Sequence, residues 1–375
     1  MNEPINKKYG YWETCGIEFS NKYLALLHAS KHNSEVWFKY HNDIWTNFDR
    51  SQIGKFSLET LYKERALQLR DSYDYLIIYF SGGADSHNIL QTFLDNNIKI
   101  DEICVKWPKL LRDGKFYSPN TVDTGANNIW SEWNYAIHPT LKWIAANRPD
   151  IYINLVDYTE NLSIEKVELA FVKCEHSRTA GSCLTDLTVS EPTLQGESKK
   201  IGHVFGTDKP LFFKRGKEIR MMFSDYALSS VPGIGVNRNI EYFYWSPNFP
   251  ILPFEMVNKT VEYYEVVKES MKNIEADTLN RENLRQQAGI VKKMCYSKWD
   301  YRFQSSKSLD VSSVKDDRWF WFANFSELNH IYQATLSNAA SRINSVSPRF
   351  LTKNKEVPEF DLMLTTSFYV RDIRE

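Results

Sequence analysis

Tyr75-Leu-Ile-Ile-Tyr-Phe-Ser-Gly-Gly-Ala-Asp-Ser86 decides how this chain is read. Tyr75–Phe80 is a continuous apolar run of the length expected for a strand buried on both faces. Ser81, Gly82 and Gly83 then offer almost no side chain, and a helical pattern follows from about Asp85 to Asn96. Along that helix Ile89, Leu90, Phe93 and Leu94 share one side. A turn of small residues leaves its backbone N–H groups open to an anion, and the helix behind it adds the positive end of its dipole. Asp85 would stand at the mouth of that nest and repel a phosphate unless a divalent cation lay between them. The stretch therefore points to a magnesium-bound nucleotide. The bland alternative is a small-residue turn that merely caps a helix. The Walker pattern is excluded, because it needs four residues between its glycines and then Lys-Ser/Thr.

Further strands are expected at Ile103–Lys106, Ile151–Val156 and Ile201–Phe205. A helical pattern at Trp130–Asn147 is interrupted by Pro139, which should mark a break or the first turn of a new helix. Strand and helix in alternation imply an α/β fold with a doubly wound parallel sheet and right-handed crossovers. Ligands of such sheets sit at the carboxyl ends of the strands. That edge would carry the Ser81–Ser86 loop, Val105–Trp107, Asp157–Thr159 and the loop Gly206-Thr-Asp-Lys-Pro210. Upstream, Ser34–His41 alternates with Val36, Phe38 and Tyr40 on one face, and Ser57–Arg70 reads as a helix. Helices at about Pro253–Ile274 and Leu279–Lys293 and a loosely patterned tail over 310–375 complete the chain. Three regions result: an N-terminal extension (1–70), a nucleotide domain (71–250) and a mainly helical C-terminal region (251–375). The prolines of Trp245–Pro253 make that segment the best linker candidate.

The small-residue turn resembles the SGGxDS signature of the PP-loop (N-type) ATP pyrophosphatases, which cleave ATP between its α and β phosphates. The resemblance covers about Asp74–Pro210 and implies an adenine-nucleotide α-hydrolase-like fold with ATP and Mg²⁺ as cofactors. It implies that Ser81, Gly82, Gly83, Asp85 and Ser86 bind the nucleotide, and that the end of the second core strand (Cys104, Val105, Lys106) supplies the adenine slot. The loop at 206–210 is loosely similar to the later acidic loop of asparagine-synthetase-type members. Asp208 would thus join Asp85 as a metal ligand, although Gly-Thr-Asp-Lys stands where those enzymes usually have Gly-x-Gly-x-Asp-Glu. The layout also looks like the stand-alone PP-loop proteins of bacteriophages, which would put it in the host cytoplasm.

Releasing pyrophosphate requires cations around its oxygens. Lys209, Lys214, Arg215, Lys217 and Arg220 cluster after the second loop, with Lys209 and Lys214 expected to face inward. A solvated basic face is the competing reading. His87 would lie on the first helical turn, where a surface position is the commoner case. Cys174-Glu-His-Ser-Arg-Thr-Ala-Gly-Ser-Cys183 lacks paired Cys-x₂-Cys spacing, so a substrate-facing loop with Arg178 on a carboxylate is favoured over zinc.

Bulk properties narrow the partners. The 375 residues carry 46 basic against 47 acidic side chains, a formal net of -1, so electrostatic binding of nucleic acid or membrane is not written into the whole chain. No apolar window suits a transmembrane span, and the opening residues lack the apolar stretch of a secretion signal. Five scattered cysteines fit a reduced cytoplasmic protein. Sulfur-transfer and nitrile-forming relatives carry cysteine motifs that are missing here, and Asn2 stands where glutamine-dependent asparagine synthetases have a cysteine. The expectation is an adenylate-forming ligase: a small-molecule substrate is adenylated with loss of pyrophosphate, and an amine then displaces AMP. One alternative is a tRNA- or nucleobase-modifying enzyme. Arg285, Lys292, Lys293, Lys298, Arg302 and Lys307 are interleaved with Tyr296, Trp299, Tyr301 and Phe303, a pattern that suits RNA. A non-catalytic nucleotide-binding protein is the other alternative.

Overall fold

The computed structural model describes residues 5, 7–20, 22–106, 133–156, 199–206, 209–225, 239–278, 281–297 and 365–374. The chain opens with β1 (Tyr11–Thr14), β2 (Ile17–Phe19), helix α1 (Lys22–His32) and β3 (Trp37–Lys39). The three strands pair antiparallel in the order β2-β1-β3. Val36, Phe38 and Tyr40, the expected apolar face, are all buried. Helices α2 (Asn42–Asn47) and α3 (Leu58–Ser72) follow. Ser57 caps α3 by accepting the Thr60 N–H at 3.2 Å, the local chemistry that a Ser before an apolar-periodic run provides. Leu58, Leu61 and Leu69 enter the core, whereas Leu67 stays exposed.

A five-stranded, wholly parallel sheet forms the centre. Its strands are β4 (Tyr75–Tyr79), β5 (Glu102–Lys106), β6 (Tyr152–Val156), β7 (Ile201–Phe205) and β10 (Asn239–Tyr242). Their spatial order is β10-β7-β4-β5-β6. The chain therefore builds outward from β4 to β5 and β6, then returns to the other side of β4 with β7 and β10. The order reverses between β4 and β7, the place where open parallel sheets leave a crevice outside their carboxyl ends. Leu76, Ile77, Ile78, Ile103, Val105 and Val204 are buried, as strands covered on both faces require. Helix α4 (Ala84–Asp95) links β4 to β5 and buries Ile89, Leu90 and Phe93. A short π-type turn (Trp133–Ile137) leads into α5 (His138–Asn147), with Pro139 in the first turn of the new helix.

Three elements differ from the sequence expectation. The basic stretch after residue 210 is a hairpin, β8 (Leu211–Arg215) and β9 (Glu218–Met222), turned at Gly216 and extended by β11 (Phe368–Asp372) from the far end of the chain. The rest of the 310–364 tail lies outside the described residues. The helix expected at Pro253–Ile274 is α6 (Ile251–Val266), followed by a 3₁₀ segment at Lys268–Ile274. Helix α7 (Arg281–Cys295) packs beside α6.

The prolines of 245–253 do not form an exposed connector. Trp245 and Ser246 are buried, Pro250 and Pro253 flank the start of α6, and one apolar core continues on both sides of residue 250. Much of the aromatic content is used in that packing. Trp245 lies 4.7 Å from Tyr40 and 4.5 Å from Tyr242 between ring centres, and Trp45 lies 4.7 Å from Phe223. Among the described residues no helix is long and apolar enough to cross a membrane.

Candidate functional site at the ends of β4 and β7

The turn after β4 is built on Gly82, whose φ of 75° lies in the left-handed region. A Cβ there would stand 2.7 Å from Ile137 Cγ1, so the turn is closed on its inner side by the segment before α5. Ser86 ties the turn to the helix: its Oγ accepts the Ser81 N–H at 3.2 Å and donates to the Gly83 carbonyl at 3.1 Å. Gly83 is the N-cap of α4 and has no capping side chain. Helix geometry leaves the first-turn N–H groups of α4 without intrahelical acceptors, and no N-cap side chain satisfies them. Such a terminus attracts anions.

Strand β7 delivers the second wall. Gly206 presses directly on the first turn of α4, where a Cβ would meet the Asp85 carbonyl carbon and the Ser86 nitrogen at 3.1 Å each. Three residues later, Lys209 Nζ lies 2.7 Å from Asp85 Oδ1. The side chains are 13% and 24% exposed respectively, so the pair is sheltered but reachable. Tyr296, just past α7, donates its phenol to the same Oδ1 at 2.5 Å. Tyr244, just past β10, donates to the Asp85 main-chain carbonyl at 2.7 Å and accepts from Asn88 Nδ2 at 3.1 Å.

Burial by itself would push the Asp85 carboxyl up. The charges of Lys209 and Lys292 and the donors on Oδ1 more than offset it, leaving the group below the usual carboxylate range. Asp85 is thus ionised at neutral pH. Burial, reinforced by that carboxylate, holds the phenols of Tyr244 and Tyr296 well above their ordinary value, so both remain neutral donors. The local balance is one carboxylate in contact with one ammonium group, under the additional positive charge of Lys292, at a helix N-terminus. It favours an incoming anion.

A magnesium ion fits this donor set only as a bridge to a ligand, because among the described residues no three His, Cys, Asp or Glu side chains converge. Magnesium characteristically binds one or two carboxylates and completes its shell with water and substrate phosphates. Asp85 is the carboxylate suited to that role, with its Oδ1 shared by Lys209 and Tyr296. The second expected ligand, Asp208, lies outside the described residues.

Other expected site residues are placed as follows. Lys214 is on β8 and pairs with Glu275. Val105 is buried in β5, and burial pushes the neighbouring Cys104 thiol up to about 12, which makes it unreactive. Lys106 lies over the Tyr79 ring at 5.7 Å. His87 is buried beside Phe80 rather than on the helix surface. Asp157–Thr159, the Cys174–Cys183 segment with Arg178, and Lys298–Lys307 lie outside the described residues. In the basic–aromatic stretch, Tyr296 is directed to Asp85, the charge of Lys292 helps to keep that carboxyl ionised, and Lys293 lies over the Tyr263 ring at 5.6 Å.

Sequence reasoning had assigned neither Tyr244 nor Tyr296 to this site. Both lie more than 150 positions from Asp85, and no local motif marks either. No protein-family model matches the chain, and no curated protein is detectably similar to it in sequence.

Proposed function

We propose that this chain is a magnesium-dependent ATP pyrophosphatase of the PP-loop kind, built on a doubly wound sheet, that adenylates a small-molecule substrate. A substrate oxygen attacks the α phosphorus, the bond to the bridging α–β oxygen breaks, and pyrophosphate leaves with the electron pair. An amine then displaces AMP. The observation that carries this reading is the meeting of Lys209 and Asp85 at 2.7 Å over the uncapped start of α4, at the point where the strand order reverses.

Each residue has a physical task. The first-turn amides of α4 hold phosphate oxygens without needing to reorganise. Lys209 leaves Asp85 for the phosphates when the nucleotide enters, so its charge is available to the departing pyrophosphate. Asp85 would hold the metal, which when bound would neutralise the charge developing on the phosphates. Gly82 supplies the left-handed turn, closed against Ile137, that a Cβ would disrupt, and Gly83 starts α4 without a capping side chain. Lys214 pairs with Glu275, and Lys214, Arg215, Lys217 and Arg220 belong to the β8–β9 hairpin, which leaves Lys209 as the member of the basic cluster assigned to the phosphates.

The test is a pyrophosphate-release assay over amino acids, nucleotides and tRNA, with product masses measured. Asp85→Asn and Lys209→Met should each keep the fold and lower turnover by roughly a hundredfold or more, the scale seen when a transition-state charge partner is removed. Wild-type release rates in both variants, or no calorimetric heat with Mg-ATP, would sink the assignment.

A further inference from the structure

Tyr296 stands out because the site as described does not need it to touch phosphate. Its side chain is 2% exposed and packs 5.5 Å from the Tyr244 ring and 6.5 Å from the Tyr62 ring. Its phenol nevertheless ends on Asp85 Oδ1 across 211 positions of sequence. The helix end that carries it is anchored separately, because the Tyr62 phenol donates to the Cys295 carbonyl at 3.0 Å. The backbone beside Tyr296 is thus fixed by one tyrosine, and Tyr296 itself is left to fix the carboxylate.

We infer that Tyr296 is a positioning residue: its phenol holds Asp85 Oδ1, the oxygen that also faces Lys209, and so fixes the rotation in which the carboxylate meets a metal-bound phosphate ligand. The inference rests on the reading of the Ser81–Ser86 turn as a nucleotide site. Its logic is competitive. A carboxylate beside a single ammonium group can rotate to present both oxygens to it, and a metal would then have to break that closer pair. A neutral donor on the same oxygen as the ammonium opposes that rotation. Hydrogen bonds to a charged group are strong enough to hold such a preference.

The experiment is calorimetry of a non-hydrolysable ATP analogue on the full chain, with and without Mg²⁺, comparing wild type, Tyr296→Phe and Tyr62→Phe. Tyr296→Phe keeps the ring and removes only the donor. It should weaken binding about tenfold in Mg²⁺, the scale of one lost hydrogen bond to a charge, and leave metal-free binding unchanged. Tyr62→Phe, which loses a phenol on the same helix end without touching Asp85, should leave both arms unchanged. Equal losses in both variants, or a loss in both arms of Tyr296→Phe, would make Tyr296 merely structural and overturn the inference. So would an unchanged Mg²⁺ arm in Tyr296→Phe. A melting scan of each variant separates weakened binding from unfolding. If the wild type binds no analogue in either arm, the nucleotide reading itself fails, and that result is distinct from the others.

Discussion

Gly206 and Asp85 come so close that a single methyl group on Gly206 would stand 3.1 Å from the Asp85 carbonyl carbon. The atoms it would meet are mostly backbone, the Ser86 nitrogen at 3.1 Å included, and backbone in a helix cannot rotate aside. The carboxyl end of β7 and the first turn of α4 are in register because residue 206 has no side chain. Gly206→Ala should push α4 off the sheet by a few tenths of an ångström and cost about 1–3 kcal/mol, the scale of overpacking. The melting temperature should fall and Mg-ATP affinity with it; an unchanged melting temperature would show that the helix can shift freely.

Gly82 makes a different demand. Its φ of 75° suits glycine, and a Cβ would lie 2.7 Å from Ile137 Cγ1. Gly82→Ala should cost about 1–2 kcal/mol for the left-handed backbone alone, plus whatever Ile137 requires to move. Ile137→Ala in the same chain relieves the clash but not the backbone term. Ile137→Ala opens a cavity of its own at a fully buried site, so the comparison is the cost of Gly82→Ala with and without it: in the Ile137→Ala background that cost should shrink but not vanish, as read by denaturant unfolding.

A buried ion pair ties α3 to the edge of the sheet. Arg65 Nη2 lies 2.9 Å from Glu241 Oε2, the side chains are 2% and 9% exposed, and Tyr73 donates to the other carboxylate oxygen. Burial raises the Glu241 carboxyl, but Arg65, Tyr73 and Lys8 together hold it below its usual range. A carboxyl lowered in the folded state adds stability above its unfolded value, and that stability is lost as pH falls through the folded value. Glu241→Gln strands the guanidinium and should cost roughly 3–5 kcal/mol at pH 7. The gap from wild type should narrow in acid, where the native carboxyl is protonated as well; a gap that stays constant with pH would contradict the ion-pair account.

Glu102 has the opposite sign. It is buried at the start of β5, accepts from the Tyr75 phenol at 3.1 Å and Asn154 Nδ2 at 2.9 Å, and has no cationic partner among the described residues. Burial raises its carboxyl above the ordinary glutamate value despite both donors. The folded state is therefore favoured when the group is protonated and loses stability as pH rises through the raised value. Glu102→Gln should melt higher than wild type at neutral pH, and the two should converge in acid. A lower neutral melting point for the glutamine variant would count against this.

The legible parts of the fold were those dictated by local apolar pattern. Strands β4, β5, β6 and β7 are runs of β-branched and aromatic residues, and α4 shows a one-sided apolar stripe. Strand β10 escaped because Asn239-Ile-Glu-Tyr242 places a charged residue inside the sheet, tolerable only because Arg65 meets it from α3. The β8–β9 hairpin escaped because its lysines and arginines read as a charge cluster, whereas the structure alternates them with buried Phe212, Ile219 and Met221. Strand β11 pairs with β9 from almost 150 residues away, a relationship that no local pattern records.

The sequence by itself determined the apolar run, the small-residue turn and the helix behind it, because strand burial, steric openness and helical periodicity are properties of neighbours along the chain. It also determined that Asp85 stands on the first turn of that helix. Only the tertiary structure decided what meets that carboxylate. Lys209 reaches it from the loop after β7 and Tyr296 from the end of α7, the charge of Lys292 acts on it from α7, and Tyr244 holds the Asp85 main-chain carbonyl from beyond β10. Those partners are set by strand order and helix docking, which depend on how the whole core packs and not on any spacing that can be counted in the sequence.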